Sequence, residues 1–319
     1  MQAETKPQIA SRHLWLYFGL SCSGSWSLCA VFYLQGVEWG SPASRFLGIL
    51  YTVCPCVAAL IVQGPVRKRP ILQPFGLRAG SKIWVWLPLA SLLPLGIAML
   101  TLMLSALLPS LEVAWTTEAW VALNSGSVPA EKRTEFLEAI RAMPVHPGVA
   151  QSIQAVLVGL TINAALCLFE ELGWRGFLYQ QPATPRYQFA RVGLLWGLWH
   201  VPLVLYGHLY PQNPWPGAAL IFLATLAQSV ILDVLRRSSG SIVPVVVFRG
   251  TLMAMMPIIG LASPIPTAPR GLIGGGTDLH TGITGAPGIA ATALIGALLV
   301  IYVKRQASKS RPASAPSTL

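Results

Sequence analysis

Ile83–Leu108, IWVWLPLASLLPLGIAMLTLMLSALL, runs its whole length without a charged residue. A helix needs about 20 such residues to cross the hydrocarbon of a bilayer, so this stretch reads as a membrane span. Seven further runs are apolar with few charges, Phe46–Val62 and Arg191–Tyr206 being short: His13–Gln35, Phe46–Val62, Ser152–Leu172, Arg191–Tyr206, Gly217–Leu235, Val243–Leu261 and Ala286–Val303. The chain as a whole is 54% hydrophobic and 10% charged, with a mean hydropathy of +0.59. Soluble chains are roughly a quarter charged, and 22 basic plus 11 acidic residues cannot coat 319 residues with a water-facing shell. Unsatisfied backbone is too costly in lipid for anything but helices or closed barrels, and the alternation of barrel strands is missing. The expected fold is therefore all-α, a polytopic transmembrane bundle of about eight spans forming one domain over residues 13–303. Residues 1–12 lead into it, and the Ser/Pro/Ala-rich stretch 304–319 reads as a disordered tail.

Positive charge sets the expected orientation, because Lys and Arg near span ends stay in the cytoplasm. With the N-terminus inside, the inner segments hold Lys6, Arg12, Arg67, Lys68, Arg69, Arg78, Lys82, Arg186, Arg191, Arg236, Arg237, Lys304, Arg305, Lys309 and Arg311. The outer ones hold Arg45, Lys132, Arg133, Arg141 and Arg270 among seven carboxylates. Both termini are expected in the cytoplasm. The net charge of +11 then belongs to loops facing anionic lipid, and no nucleic-acid partner is needed to explain it. The first span is too long for a signal-peptide core and reads as a retained anchor. Cys22, Cys29, Cys54, Cys56 and Cys167 fall in spans and read as small packing residues. Between spans, Gly64–Lys82 reads as an interfacial basic segment, and Pro129–Met143 as a short amphipathic helix in an outer loop.

The informative residues are charges inside spans, which are costly in lipid and so tend to have partners and functions. The fourth span ends in Leu168-Phe169-Glu170-Glu171-Leu172-Gly173-Trp174-Arg175-Gly176. At about 100° per residue, Glu171 and Arg175 stack on one face and can pair. Glu170 points away, sharing its face with Asn163 and Cys167 in a polar stripe aimed into the bundle. A carboxylate without a cation in an apolar site becomes a stronger proton acceptor, as a general base must be. The fifth span offers Trp196 and His200 from a neighbouring helix, where an imidazole could orient water for Glu170 or stabilise an oxyanion. The competing reading is a helix-end carboxylate pair and a histidine bonded to backbone. His208 and His280 read as loop histidines at the outer side, and Asp233 as a helix-end partner for Arg236 and Arg237.

These residues resemble a known family. EExxxR at Glu170, Glu171 and Arg175, within FEELGWRGFLYQQ, is followed by an aromatic-xxx-His pattern from Trp196 to His200, within LLWGLWHVPL. Together they are similar to the CAAX-protease and bacteriocin-processing proteins, also called the Abi or CPBP family. The likeness covers Ser152–Tyr206 and, more weakly, Ser239–Met253, with a protease-like core over 152–261. It implies an all-helical intramembrane glutamate endopeptidase, with a peptide or membrane protein as substrate in a cytoplasm- or lipid-facing cavity. By that likeness Glu170 activates water, Glu171 and Arg175 hold the site, and His200 assists. It implies no cofactor and no metal, and a single core histidine would make a poor zinc site. The family's spread and the short loops imply a bacterial plasma membrane. The seventh span departs from the pattern: after Gly240-Ser241-Ile242-Val243-Pro244, the family's His and Asn positions are Arg249 and Met253. The alternative is therefore an impaired member that binds peptide, or confers immunity, without cutting.

Overall fold

The computed structural model describes residues 11–70, 75–78, 80, 82–180, 187–260 and 271–309. Long apolar helices dominate: α1 (Ser11–Leu34), α2 (Pro42–Ile61), α3 (Ile83–Ser105), α9 (Pro214–Ser239) and α11 (Ala286–Lys309). Each is long and apolar enough to cross a membrane. A sixth crossing comes from α6 (Pro147–Leu160) and α7 (Ile162–Glu171), a pair bent by 50° at Thr161. The sequence pattern presents Ser152–Leu172 as one unbroken run, but Thr161 leaves the helical region, at φ −118° and ψ −92°. The other two expected spans are α8 (Gln188–Leu205) and α10 (Val243–Ile259). Neither is among the helices that qualify by length and composition. Both hold the polar residues described below, and α10 has only 17 residues. Between α3 and α6 lie the short helices α4 (Thr117–Asn124) and α5 (Arg133–Arg141), the latter inside the expected amphipathic segment. The helix α11 continues past Val303 to Lys309, so the first residues of the expected tail are helical.

Successive helices run back and forth, giving the bundle two faces. The terminal face carries the start of α1, the end of α11, the described parts of the connections 62–82 and 172–187, and 240–242; Gly76 O accepts from Ile242 N there at 2.8 Å. The far face carries the connections 35–41, 106–146 and 206–213 and the described part of 260–285. A two-stranded antiparallel ribbon lies there, β1 (Leu111–Val113) on β2 (Ile273–Gly275). The Tyr210 hydroxyl donates to Thr284 O at 2.7 Å on the same face.

Exposed aromatic residues mark both rims: Trp15, Trp84, Tyr187 and Tyr302 towards the terminal face, Tyr33, Trp115 and Trp215 towards the far face. Between them the outward positions are aliphatic, including Leu92, Met99, Leu157, Leu223 and Leu298. An apolar belt bounded by amphipathic rings is the surface a bilayer selects, and the protein is an integral membrane protein. All five cysteines are free, and Cys22, Cys29, Cys56 and Cys167 are buried.

Close helix contacts replace the hydrophobic drive that lipid removes, so small residues sit at the seams. On α8, Gly193 and Gly197 face α9, where a Cβ would press on Leu226 and Phe222. At the other seam, a side chain on Gly250 of α10 would strike the backbone of Gly159 and Ala164, and one on Gly159 would strike Thr251. The second seam seats α10 against both halves of the bent pair and sets Arg249 beside Glu170.

Candidate functional site

Helix α7 ends at Glu171 and gives way to a wide, π-helical turn over Leu172–Phe177. Such turns displace side chains from the regular helical register and recur at functional sites. Here the turn keeps the i, i+4 pairing read from the sequence. Arg175 Nη1 donates to Glu171 Oε1 at 3.1 Å and Oε2 at 3.2 Å, while Nη2 donates to Ser229 Oγ at 2.8 Å. Glu171 is 0% exposed and Arg175 is 2% exposed. A buried pair this well bonded offsets much of its own desolvation.

Glu170 is 4% exposed and has the cation that the reading of its own helix denies it. Arg249 Nη2 donates to Glu170 Oε2 at 3.0 Å, and the same oxygen accepts from Trp196 Nε1 at 3.3 Å. Arg249 Nη1 reaches Gln228 Oε1 at 3.2 Å, and its Nε lies 3.4 Å from Glu171 Oε1 without a bond's geometry. Both guanidiniums lie over the Trp196 indole, at 4.6 Å for Arg175 and 4.4 Å for Arg249. Two carboxylates and two guanidiniums thus form one charge-balanced cluster around an aromatic ring that attracts cations. Glu170 Oε1 has no bonding partner among the described residues, so this oxygen is left for the cavity.

His200 stands one turn beyond Trp196, and its Nδ1 lies 2.8 Å from Trp196 O. A carbonyl can only accept, so Nδ1 carries the proton, and in the neutral ring Nε2 is an acceptor. Trp196 therefore braces both groups, Glu170 through its indole and His200 through its carbonyl. The histidine ring packs edge-on against Trp196 and Trp199, with centroids 5.3 and 4.7 Å away.

Glu170, Trp196, His200, Gln228 and Arg249 line one cavity of about 350 Å³. Its direction corrects an expectation. The sequence suggested a cavity open to the cytoplasmic side, taken as that of the termini, or to lipid; only the first is set aside, since the exposed Ile49 of α2 is part of the lining. Instead the lining continues through Tyr51, Thr52 and Met256 to Trp39, Ser44, Arg45, His208 and Thr284, all at the far face. Towards the terminal face, Tyr17, Trp174 and Phe177 close the bundle, each 0% exposed. Tyr17 lies 5.7 Å from Trp174 and 5.0 Å from Phe177, centroid to centroid.

The remaining sequence candidates fall out unevenly. Asn163, expected to line the cavity, is not among its lining residues; Nδ2 donates to Gly250 O at 3.2 Å, because the bend at Thr161 and the tight Gly159–Gly250 seam turn it to the α10 backbone. Met253 lines the cavity, and the Cys167 thiol lies 3.2 Å from its Sδ. His208, read as distant from Glu170, lines the opposite end of the same cavity, its ring 5.1 Å from Trp39. His280 meets Thr277 Oγ1 at 3.0 Å in an exposed loop. Asp233 pairs with Arg237 at 2.7 Å, while Arg236 Nε donates to Arg175 O at 3.2 Å. Gln228 and Ser229 were not singled out by sequence reasoning; the available signal was two adjacent polar residues in the apolar run Gly217–Leu235.

Residues 152–255 match the family model for type II CAAX prenyl endopeptidase, Rce1-like. The matched stretch opens in α6, closes in α10 and contains both glutamates, Arg175, Trp196, His200, Arg249 and Met253. No curated protein shows a significant match to the chain.

Proposed function

We propose that this chain, whose residues 152–255 match the Rce1-like type II CAAX prenyl endopeptidase model, is an intramembrane endopeptidase whose third motif has been rebuilt around Arg249. The observation that carries this reading is the division of labour on Glu170: Oε2 is held by Arg249 and Trp196, and Oε1 is left to the cavity that His200 also lines. A water between Glu170 Oε1 and His200 Nε2 would meet two acceptors, the setting that draws a proton off it. Its oxygen attacks the peptide carbonyl carbon as Glu170 takes the proton. The carbonyl π electrons move to oxygen, giving a tetrahedral oxyanion. Collapse breaks the C–N bond, and the proton held by Glu170 passes to the leaving nitrogen.

Arg249 supplies what the family's histidine and asparagine positions no longer can. Its two η nitrogens each carry two N–H groups, and the contacts above use one on each. The remaining donors can meet an oxyanion on the cavity floor, a contribution commonly worth about 100- to 1,000-fold in rate. Glu171, Arg175 and Ser229 act behind this layer by fixing the end of α7.

A second reading rests on the same contact. An ion-paired carboxylate is a weaker base than an unpaired one, and Met253 offers no donor, which favours a member that grips a peptide without cutting it. Detergent-purified protein assayed on a diverse peptide library separates the two. Cleavage by the wild type that vanishes in Glu170→Ala supports the endopeptidase. Cleavage only in Arg249→His/Met253→Asn identifies a binding descendant, and turnover indifferent to Glu170→Ala removes the catalytic assignment.

A further inference from the structure

We infer that the substrate is a polypeptide presented at the extracytoplasmic face of the membrane, reaching Glu170 through the far-face mouth of the cavity. This rests on the reading of that cavity as the substrate site, whether or not the bound chain is cut. Two independent observations meet here. The first is charge: the terminal face gathers Arg67, Lys68, Arg69, Arg78, Lys82, Arg236, Arg237, Lys304 and Arg305, whereas the far-face segments hold few basic residues among several carboxylates. That bias places the terminal face in the cytoplasm. The second is shape: the cavity runs from Glu170 and Arg249 to Trp39, Arg45, His208 and Thr284, and among the described residues none that lines it belongs to a terminal-face connection.

The cytoplasmic route is blocked by side chains. Below Glu170 lie the Glu171–Arg175–Ser229 bonds, and beneath them the packed rings of Tyr17, Trp174 and Phe177. A peptide from the cytoplasm would have to break a buried ion pair and part three fully buried rings. From the far face it meets Arg45, which is exposed and lines the cavity, and then Ile49 and Thr52 along α2. A cavity of about 350 Å³ accepts a few extended residues, not a folded domain. The fitting substrate is therefore an unfolded or membrane-anchored segment that has already been translocated or inserted.

Sidedness can be read without turnover. Cysteine is placed at Ala130 on the far face, Ser308 on the terminal face, and Leu166 or Met256 in the cavity wall, each exposed to a membrane-impermeant maleimide with the wild type as background. Expected is labelling of Ala130→Cys and Leu166→Cys in intact cells, and of Ser308→Cys only after permeabilisation. The inference is overturned if Ala130→Cys is silent in intact cells. It is equally overturned if both cavity cysteines label only alongside Ser308→Cys, or only after denaturation. A fluorescent, impermeant peptide library added outside the cells is the second arm: cleavage lost in Glu170→Ala supports access and hydrolysis together. Outside labelling without cleavage keeps the access route and counts against the endopeptidase instead.

Discussion

Glu171 gives both oxygens to Arg175 and sees no solvent, whereas Glu170, one residue earlier, gives one oxygen to Arg249 and keeps the other towards an open cavity. Adjacent carboxylates on one helix have thus been given different neighbours: Arg175 comes from the same chain segment, Arg249 from a helix 79 residues away. The local pair does not line the chamber, and Arg175 borders only a pocket of about 10 Å³, so the pair holds structure. The long-range pair stands at the floor of a chamber and can take part in chemistry. The difference teaches that an intramembrane charge is read by what shares its space, not by its cost alone.

The sharpest way to break this comparison is to remove each carboxylate in turn. Glu170→Ala should cut peptide cleavage by about 100- to 10,000-fold, the usual span of a general base, with thermal unfolding in detergent little changed. Equal loss of stability in Glu170→Ala and Glu171→Ala would erase the distinction. Next in size, Arg175→Ala should destabilise the protein by about 3–5 kcal/mol, because Glu171 is left charged and sealed; a melting midpoint within a degree of wild type would contradict that. Arg249→Met should lower cleavage by about 100-fold while costing less stability than Arg175→Ala, since Glu170 can be wetted from the cavity; a larger stability loss than Arg175→Ala would place Arg249 on the structural side. The smallest effect belongs to Trp196→Phe, which keeps an aromatic ring and deletes the N–H to Glu170. About 1 kcal/mol in kcat/KM is expected, and an unchanged value would mean that Arg249 alone holds Oε2.

Much of this was legible in the residues. Apolar runs of about 20 residues announce spans, and helical spacing announces the Glu171–Arg175 pair. The resemblance of FEELGWRGF and LLWGLWHVPL to a protease family drew attention to α7 and α8, which lie within the stretch that matches the family model. What escaped reading is of one kind. The kink at Thr161 carries no proline or glycine to flag it, and it turns Asn163 from the cavity to Gly250 O. The role of Gln228 follows from α8 and α9 closing on Gly193 and Gly197, a contact between helices. The direction of the cavity depends on which ends of α2, α8 and α10 stay apart, and no single span encodes that.

By itself the sequence determined that this chain lives in a bilayer, that its core is helical, and that Glu171 and Arg175 meet, because hydropathy and helical period act over a few turns of one segment. Only the tertiary structure decided that Arg249 neutralises Glu170, that Trp196 braces both Glu170 and His200, and that the cavity leads away from the basic face. Those outcomes depend on how close helices approach, which glycine seams such as Gly159–Gly250 set to within an atom's width, and such distances have no period along the chain.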